Sequence, residues 1–119
     1  MFNRFPHYRQ YDEMDCGPTC LRIICDYYGK EFSLEYLRQL THTTRVGSTL
    51  LGISEAAEKL GLRTIGAKLS YDDLLTEVPM PCIGYWYQRH FIVIYKVTKN
   101  KVYVSDPAHG LITYTKTEV

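Results

Sequence analysis

Apolar residues recur at helical spacing through the first half of the chain, at residues 16–28, 33–40 and 49–60. In each stretch an apolar side chain returns every three or four positions, which is typical of a helix with one buried face. The apolar positions are Cys20, Ile23, Ile24 and Tyr27 in the first stretch, Leu34, Leu37 and Leu40 in the second, and Leu50, Ile53, Ala57 and Leu60 in the third. Ser33 can cap the second helix, and Gly29 and Gly61 stand where glycine often ends a helix. We therefore predict a helical first half.

From residue 62 the pattern changes to that of strands. Strands are predicted at Arg63 to Leu69, Cys82 to Tyr87, His90 to Thr98, Lys101 to Ser105 and Gly110 to Thr115. Between the first two of these, Ser70 can cap a short helical turn that runs through Leu75. Helices followed by consecutive strands with short connections indicate an α+β domain, in which N-terminal helices pack on a C-terminal antiparallel β-sheet.

One predicted hairpin brings two polar side chains together. The tight Lys-Asn-Lys connection that ends at Lys101 joins the strand that begins at His90 to the strand that Asp106 follows. In an antiparallel pair with its turn at one end, the other two strand ends meet at the same edge. We therefore expect His90 and Asp106 to lie close together.

Composition places the chain among ordinary globular proteins. Its 119 residues, 45% of them hydrophobic and 23% charged, are enough for one domain over residues 1–119 and too few for two. The net charge is +1, and neither a basic block nor a basic amphipathic helix is present, so no nucleic-acid or anionic-membrane partner is expected. The chain has eleven tyrosines, and those at strand positions suit a half-exposed sheet: Tyr85, Tyr87, Tyr95, Tyr103 and Tyr114.

The sequence also carries signals about compartment. No apolar stretch approaches the roughly 20 residues that span a bilayer, and the N-terminus has no apolar core of a signal peptide, so we expect a soluble domain that is not secreted by that route. Of the four cysteines, Cys16, Cys20 and Cys25 fall in one predicted helix, where a spacing of four residues suits side-by-side thiols better than a disulfide. Reduced thiols indicate a cytosolic setting.

The chemistry is concentrated in the segment Gln10-Tyr-Asp-Glu-Met-Asp-Cys16-Gly-Pro-Thr-Cys20. A helix N-terminus has unpaired N–H groups and a partial positive charge, which favour a thiolate over a thiol. Cys16 lies at such a predicted N-terminus, and Pro18 suits the first turn because it needs no N–H there. Downstream, His90 and Asp106 can supply a general base and the group that orients it. These residues predict a cysteine nucleophile.

Three motifs in this order resemble the bacteriocin-processing cysteine peptidases, papain-like domains at the N-terminus of peptidase-containing ABC transporters. The motifs are Gln10-x5-Cys16-Gly-Pro-x-Cys20, His90-Phe-Ile-Val-Ile and Asp106-Pro-Ala-His-Gly110. The resemblance runs from about Gln10 to the last strand. It implies a papain-like fold, a catalytic triad of Cys16, His90 and Asp106, and an oxyanion donor at Gln10.

The same resemblance implies a substrate and partners. The substrate is the leader of a secreted precursor peptide, cut after a Gly-Gly or Gly-Ala pair, and no cofactor is needed. The domain normally precedes transmembrane and ATP-binding domains of a parent transporter and faces the cytoplasm at the bacterial cell membrane. Whether this chain is an excised domain or a free-standing protein is left open by the sequence.

Other interpretations stay open at this point. Cys16 and Cys20 with His90 or His109 could bind zinc, although no standard zinc spacing is present. A catalytically weak domain could only hold the leader peptide, but the retained Cys16 favours catalysis. Asp106 could be no more than a turn residue, and Gln10 no more than an exposed one. The remaining cysteines and histidines are interpreted as core or exposed residues: Cys20, Cys25, Cys82, His7, His42 and His109.

Overall fold

The computed structural model describes residues 5–10, 15–44, 47–64, 70–86 and 90–118. Its helices are α1 (Cys16–Tyr27), α2 (Leu34–Leu40), α3 (Leu50–Lys59) and α4 (Tyr71–Thr76), with a 3-10 turn at Lys116–Glu118. Its strands are β1 (Cys82–Trp86), β2 (His90–Val97), β3 (Lys101–Asp106) and β4 (Gly110–Thr115). The four strands form one antiparallel sheet in the order β1-β2-β3-β4. The predicted α+β arrangement is confirmed.

The helix boundaries follow from side chains that bind the free backbone groups at helix ends. Ser33 accepts a hydrogen bond from the Tyr36 amide, and Thr49 accepts one from the Gly52 amide. Ser70 and Asp73 form a reciprocal capping box at the start of α4. Gly29 follows α1 with a φ of 84°, a conformation that glycine adopts without strain. The predicted caps at Ser33 and Ser70 and the predicted stop at Gly29 are confirmed.

Both faces of the sheet are covered. Phe91 and Val93 of β2 pack against α1, in a cluster with Cys20, Ile23 and other residues. The opposite face is formed by alternate residues of β2 and β3, and Tyr71 and Leu74 of α4 pack against it: Ile92, Ile94, Val102 and Val104. The sheet is therefore a central layer, and α1 lies along one side of it.

A β-bulge in β2 changes which side chains share a face. Ile94 pairs with Val104, but the next pair is Lys96 with Tyr103, so Tyr95 is the extra residue. Beyond it, Val97 joins the face of Ile92 and Ile94, although strict alternation would place it on the other side.

Three details of the sequence prediction need correction or fall outside the described residues. Leu50 is 51% exposed and is not a core position, because the buried side of α3 is formed by Gly52, Ile53, Ala56 and Ala57. The predicted strand from Arg63 to Leu69 is absent at Arg63 and Thr64, and residues 65–69 lie outside the described part of the chain. The strand predicted to reach Tyr87 ends at Trp86 among the described residues.

Residues 5–10, here called the N-terminal strap, connect α1 to the sheet. Phe5 stacks on Tyr95 of β2, with ring centroids 4.2 Å apart. The Tyr8 ring lies under the Arg22 guanidinium, 3.9 Å from the ring centroid, and its hydroxyl donates to Asp26 at 3.4 Å. None of the helices in the described ranges is both long and apolar enough to cross a membrane.

Candidate active site

Cys16 begins α1 and is buried where the helix meets the sheet. It belongs to the apolar cluster that α1 forms with Phe91 and Val93 of β2. The first turn of α1 holds no carboxylate, and the N-cap residue Asp15 makes no capping hydrogen bond. Among the described residues, no side chain is therefore seen to neutralise the partial positive charge of the helix end beside the thiol. Gly17 follows in close contact with the chain before α3: a Cβ at this position would lie 2.8 Å from Ser48 Cβ.

His90 and Asp106 meet at one edge of the sheet, as the hairpin predicts. His90 is the first residue of β2, and Asp106 is the last residue of β3. The His90 Nε2 and Asp106 Oδ1 atoms are 2.7 Å apart. Asp106 Oδ1 also accepts a hydrogen bond from the Ala108 amide at 2.8 Å, which fixes the carboxylate in the turn. Asp106 is therefore both a turn residue and the partner of His90.

The electrostatics of the pair hold a proton on the imidazole. Hydrogen bonds with Asp106 and Cys16 raise the pKa of His90 to about 9, against the opposing effect of burial. For Asp106, burial acts to raise the pKa, but hydrogen bonds from His90 and the Ala108 amide outweigh it and the pKa is lowered. The Asp106 side chain is 2% exposed and that of His90 24%, so solvent reaches the ring but hardly reaches the carboxylate.

The ring orientation leaves one nitrogen for Cys16. Because Nε2 lies 2.7 Å from Asp106 Oδ1, Nδ1 is the ring nitrogen left to interact with Cys16, whose proximity also raises the pKa of His90. The imidazole therefore lies between a carboxylate and a thiol. Such a chain can hold a thiolate and an imidazolium as an ion pair.

Gln10 is held beside this site by its backbone. The backbone N–H of Gln10 donates to the carbonyl oxygen of Pro107, the residue after Asp106, at 3.0 Å. Three residues upstream, His7 Nδ1 lies 3.0 Å from Ser105 Oγ, which donates to the carbonyl oxygen of Pro6 at 3.1 Å. These bonds fix the strap against the end of β3, and Gln10 stands at the end of the strap.

An ion pair beside Cys16 was not predicted from the sequence. The Asp15 carboxylate accepts two hydrogen bonds from Arg38 of α2, at 3.0 Å from Nε and 2.7 Å from Nη2. Asp15 is visible in the sequence next to Cys16, but no spacing rule connects it with an arginine on another helix.

The other cysteines are divided among different clusters: Cys20 packs in the cluster of Cys16, Cys25 in a second cluster, and Cys82 on the opposite face of the sheet. The four cysteines are free thiols. Burial raises the pKa of Cys20 well above its usual value, with a further contribution from Cys16, and burial also raises the pKa of Cys25. His109 is exposed, with its ring centroid 6.4 Å from that of His90. In the part of the chain that the structure describes, no three metal-binding side chains form a group that could hold a metal ion.

Nearly the whole chain resembles a known family of peptidases. The family model described as the peptidase C39 family matches residues 4–119. The colicin V secretion/processing ATP-binding protein CvaB of Escherichia coli is 36% identical over 116 residues, which are 98% of this chain and 16% of that protein. The pediocin PA-1 transport/processing ATP-binding protein PedD of Pediococcus acidilactici is 38% identical over 103 residues, 82% of this chain and 14% of that protein. The chain therefore spans about one sixth of the length of these relatives.

Solved structures agree with the fold. A double glycine motif protease from an AMS/PCAT transporter, crystallised in complex with its leader peptide, superimposes with a TM-score of 0.91 at 30% identity, over 97% of this chain and 82% of that one. The peptidase domain of Streptococcus ComA, a bifunctional ABC transporter in a quorum-sensing pathway, gives a TM-score of 0.89 at 31% identity, over 97% and 89% of the two chains. The predicted papain-like fold is confirmed, and the chain belongs to the peptidase C39 family of cysteine peptidases.

Proposed function

We propose that residues 1–119 form one peptidase domain that removes the leader of a secreted peptide, such as a bacteriocin, by cutting after a Gly-Gly or Gly-Ala pair. The observation that carries the proposal is the chain of side chains from Cys16 through His90 to Asp106, with 2.7 Å between His90 Nε2 and Asp106 Oδ1. The likeness to a double glycine motif protease in complex with a leader peptide supports the substrate class.

In the proposed mechanism the Cys16 thiolate attacks the scissile carbonyl carbon. The thiolate at the start of α1 is stabilised by the helix end and by the imidazolium of His90. His90 then protonates the leaving amine, which departs as the new N-terminus of the mature peptide. In the second step the neutral His90 takes a proton from water, which attacks the thioester and releases the leader. Asp106 holds the ring orientation throughout.

The negative charge that develops on the carbonyl oxygen needs donors that are already in place. We assign that role to the Gln10 side chain and the Cys16 backbone N–H. The hydrogen bond from the backbone N–H of Gln10 to the Pro107 carbonyl oxygen supports this assignment, because it anchors Gln10 next to the turn that holds Asp106. Removal of one such donor usually costs two to three orders of magnitude in turnover.

The relatives support a cellular setting for the domain. CvaB and PedD are named for transport or secretion, processing and ATP binding, and the chain matches about one sixth of each. We propose that the domain works beside the transmembrane and ATP-binding domains of a parent transporter, on the cytoplasmic face of the bacterial membrane. The precursor then loses its leader as it is exported.

The test is cleavage of a panel of double-glycine leader peptides, followed by mass spectrometry. Cys16→Ala is expected to abolish cleavage while the leader still binds, since the nucleophile is lost and the helix is not. Cys25→Ala is the matched control: it removes a buried thiol from the same helix and is expected to retain turnover at a lower stability.

Two results would contradict the proposal. Substantial turnover by Cys16→Ala would remove Cys16 as nucleophile. Leader binding by the wild-type domain without cleavage of any panel member would favour a leader-binding module instead.

A further inference from the structure

The residue before the nucleophile is a buried carboxylate. Asp15 is 1% exposed and lies at the N-cap position of α1, directly before Cys16. Its two oxygens accept separate hydrogen bonds from Arg38, whose side chain is 40% exposed. A carboxylate this buried is stable only when it is paired, and a two-point bond with a guanidinium is the strongest pairing available to it.

An aspartate at an N-cap normally has a different partner. It accepts a hydrogen bond from the amide of the second or third helical residue, and it is among the best capping residues for that reason. In α1 no such bond forms. The third residue is Pro18, which has no N–H, so a capping Asp15 could only bind the amide of Gly17.

The same first turn is the part of α1 that the reaction uses. The amides of Cys16 and Gly17 are the N–H groups that lie nearest to the nucleophile, and the positive end of the helix dipole acts there. A carboxylate that capped Gly17 would cancel part of that charge. It would also repel both the thiolate and the oxyanion.

We propose that Arg38 is a positioning residue for the peptidase reaction. From α2 it binds the Asp15 carboxylate, so that the carboxylate does not cap the first turn of α1 and the N–H groups there remain available to Cys16 and the oxyanion. This inference rests on the function proposed above, in which Cys16 is the nucleophile. In the described part of the chain Asp15 bonds Arg38 and not Cys16 or His90, so we assign the pair an indirect role, through the backbone and the electric field at the start of α1.

In the described part of the chain, the titratable groups near Cys16 lie on β2, on β3, and on α1 and its N-cap. β2 contributes His90 and β3 contributes Asp106, which pair with each other. Cys20 lies on α1 itself, where burial raises the pKa of its thiol. Arg38 of α2 forms an ion pair with Asp15 and so neutralises its charge. Removal of the guanidinium leaves the Asp15 carboxylate unpaired in the residue next to the nucleophile.

The experiment compares Arg38→Met with Arg38→Lys and with Arg63→Met, a control at an exposed arginine after α3. The rate of Cys16 alkylation by iodoacetamide is measured against pH, and kcat and KM are measured with a double-glycine leader peptide. Arg38→Met is expected to lower kcat by about tenfold or more with little change in KM, and to move the alkylation profile to higher pH. Arg38→Lys, which keeps the charge but loses the two-point geometry, should lie between Arg38→Met and wild type. Arg63→Met should match wild type.

A double variant separates this role from a purely structural one. Asp15→Ala with Arg38→Met removes the carboxylate together with its partner, and it is expected to recover most of the kcat and the alkylation profile that Arg38→Met loses. All variants are assayed well below the melting temperature of the least stable one. A double variant no more active than Arg38→Met, or an Arg38→Met with wild-type kcat and alkylation profile, would overturn the inference. The proposed function fails separately, if wild-type Cys16 neither reacts faster than the other three cysteines nor cleaves the peptide.

Discussion

His90 carries its proton at neutral pH because Asp106 and Cys16 both bind its ring. Their hydrogen bonds raise its pKa to about 9, and the protonated ring is ready to give a proton to a leaving amine. The same bonds link the site to stability. A pKa raised from 6.5 adds stability that is fully present below pH 6.5 and is lost as the pH rises through about 9.

The first prediction concerns the alkaline side of the pH profile. Turnover requires protonated His90, so kcat/KM should fall as the pH rises through about 9. Asp106→Asn removes the main cause of the raised pKa, so its alkaline limb should lie at lower pH and its kcat should fall by orders of magnitude. The measurement is the pH dependence of leader cleavage together with NMR titration of the ring. An alkaline limb at the same pH in both proteins would mean that Asp106 does not control the proton.

The second prediction isolates the side chain of Gln10. Gln10→Ala should lower turnover by about a hundredfold or more and change KM much less, because charge on the carbonyl oxygen develops only during attack. Gln10→Glu is the matched variant: it keeps the size of the side chain but loses the N–H donors. It should be at least as impaired.

Stability separates this effect from a structural one. The bond to Pro107 is made by the backbone of residue 10, so the melting temperature should hardly change in either variant. Arg9→Ala, at an exposed neighbour, should keep wild-type turnover. Wild-type turnover in both Gln10 variants would remove Gln10 from the site.

At this scale the sequence predicted the residues whose chemistry depends on local context. Cys16 was identified by a helix start, and the proximity of His90 and Asp106 by a hairpin, both of which are local patterns. The pairing of Asp15 with Arg38 joins the start of α1 to α2, across 23 positions of sequence. The spacing of apolar residues within a helix does not predict such a contact between helices. The catalytic roles of Cys16, His90, Asp106 and Gln10 stay predictions until the variants are measured.

At the scale of elements, α1 meets α3 and the residue pair before it closely at Gly17. A Cβ on Gly17 would lie 2.8 Å from both Cβ and Oγ of Ser48 and 2.9 Å from Cδ1 of Ile53. Ser48 is held from its other side by Thr43, whose hydroxyl lies 2.6 Å away. The contact has little room to move.

The third prediction follows from this contact. In a helix, alanine is better than glycine by roughly 0.5–1 kcal/mol, so Gly17→Ala would be stabilising if the space were open. Because the space is filled, we expect a loss of about 1–3 kcal/mol in the free energy of unfolding, measured by urea denaturation. Adding Ser48→Gly removes two of the three close atoms and should recover part of that loss. A Gly17→Ala protein more stable than wild type would show that α3 moves aside at little cost.

The positions of the helices and strands were largely predictable, because caps and turns depend on residues that are neighbours in the sequence. Ser33, Ser70 and Gly29 act where the sequence places them. The bulge at Tyr95 was not predictable in the same way, since it depends on the register with β3 and not on Tyr95 alone. Leu50 was assigned to the core by period, but α2 meets α3 through Gly52, whose Cβ position is filled by the Thr41 carbonyl oxygen, and Leu50 is left exposed.

For the whole molecule, the dimensions are those of a compact chain. The radius of gyration is 13.5 Å. Compact domains of this length have about the same value by the general scaling with chain length. One sheet carries apolar clusters on both faces, so helices and strands contribute to a shared interior.

The fourth prediction is that residues 1–119 fold and cut peptide alone. Calorimetry should give a single transition with an enthalpy on the order of 80 kcal/mol near 60 °C and equal calorimetric and van't Hoff values. The protein should cleave a leader peptide without ATP, because Cys16, His90 and Asp106, the proposed triad, all lie within this chain. Two resolved transitions would contradict the single domain, and activity that requires the transporter would contradict its independence.

The hydrogen bonds between the N-terminal strap and β3 can form only late in synthesis of the chain. His7 and Ser105 are 98 positions apart, so a ribosome that adds about 5–20 residues per second makes one of them about 5–20 s before the other. During that interval the strap has no strand end to bind and Gln10 has no anchor at Pro107, and for most of it His90 has not yet been made. A nascent chain that already displays Cys16 therefore lacks the histidine and the aspartate of the proposed triad. Under the proposed mechanism, competence to cut a peptide bond therefore arrives only with the last strands, after Asp106 has been made.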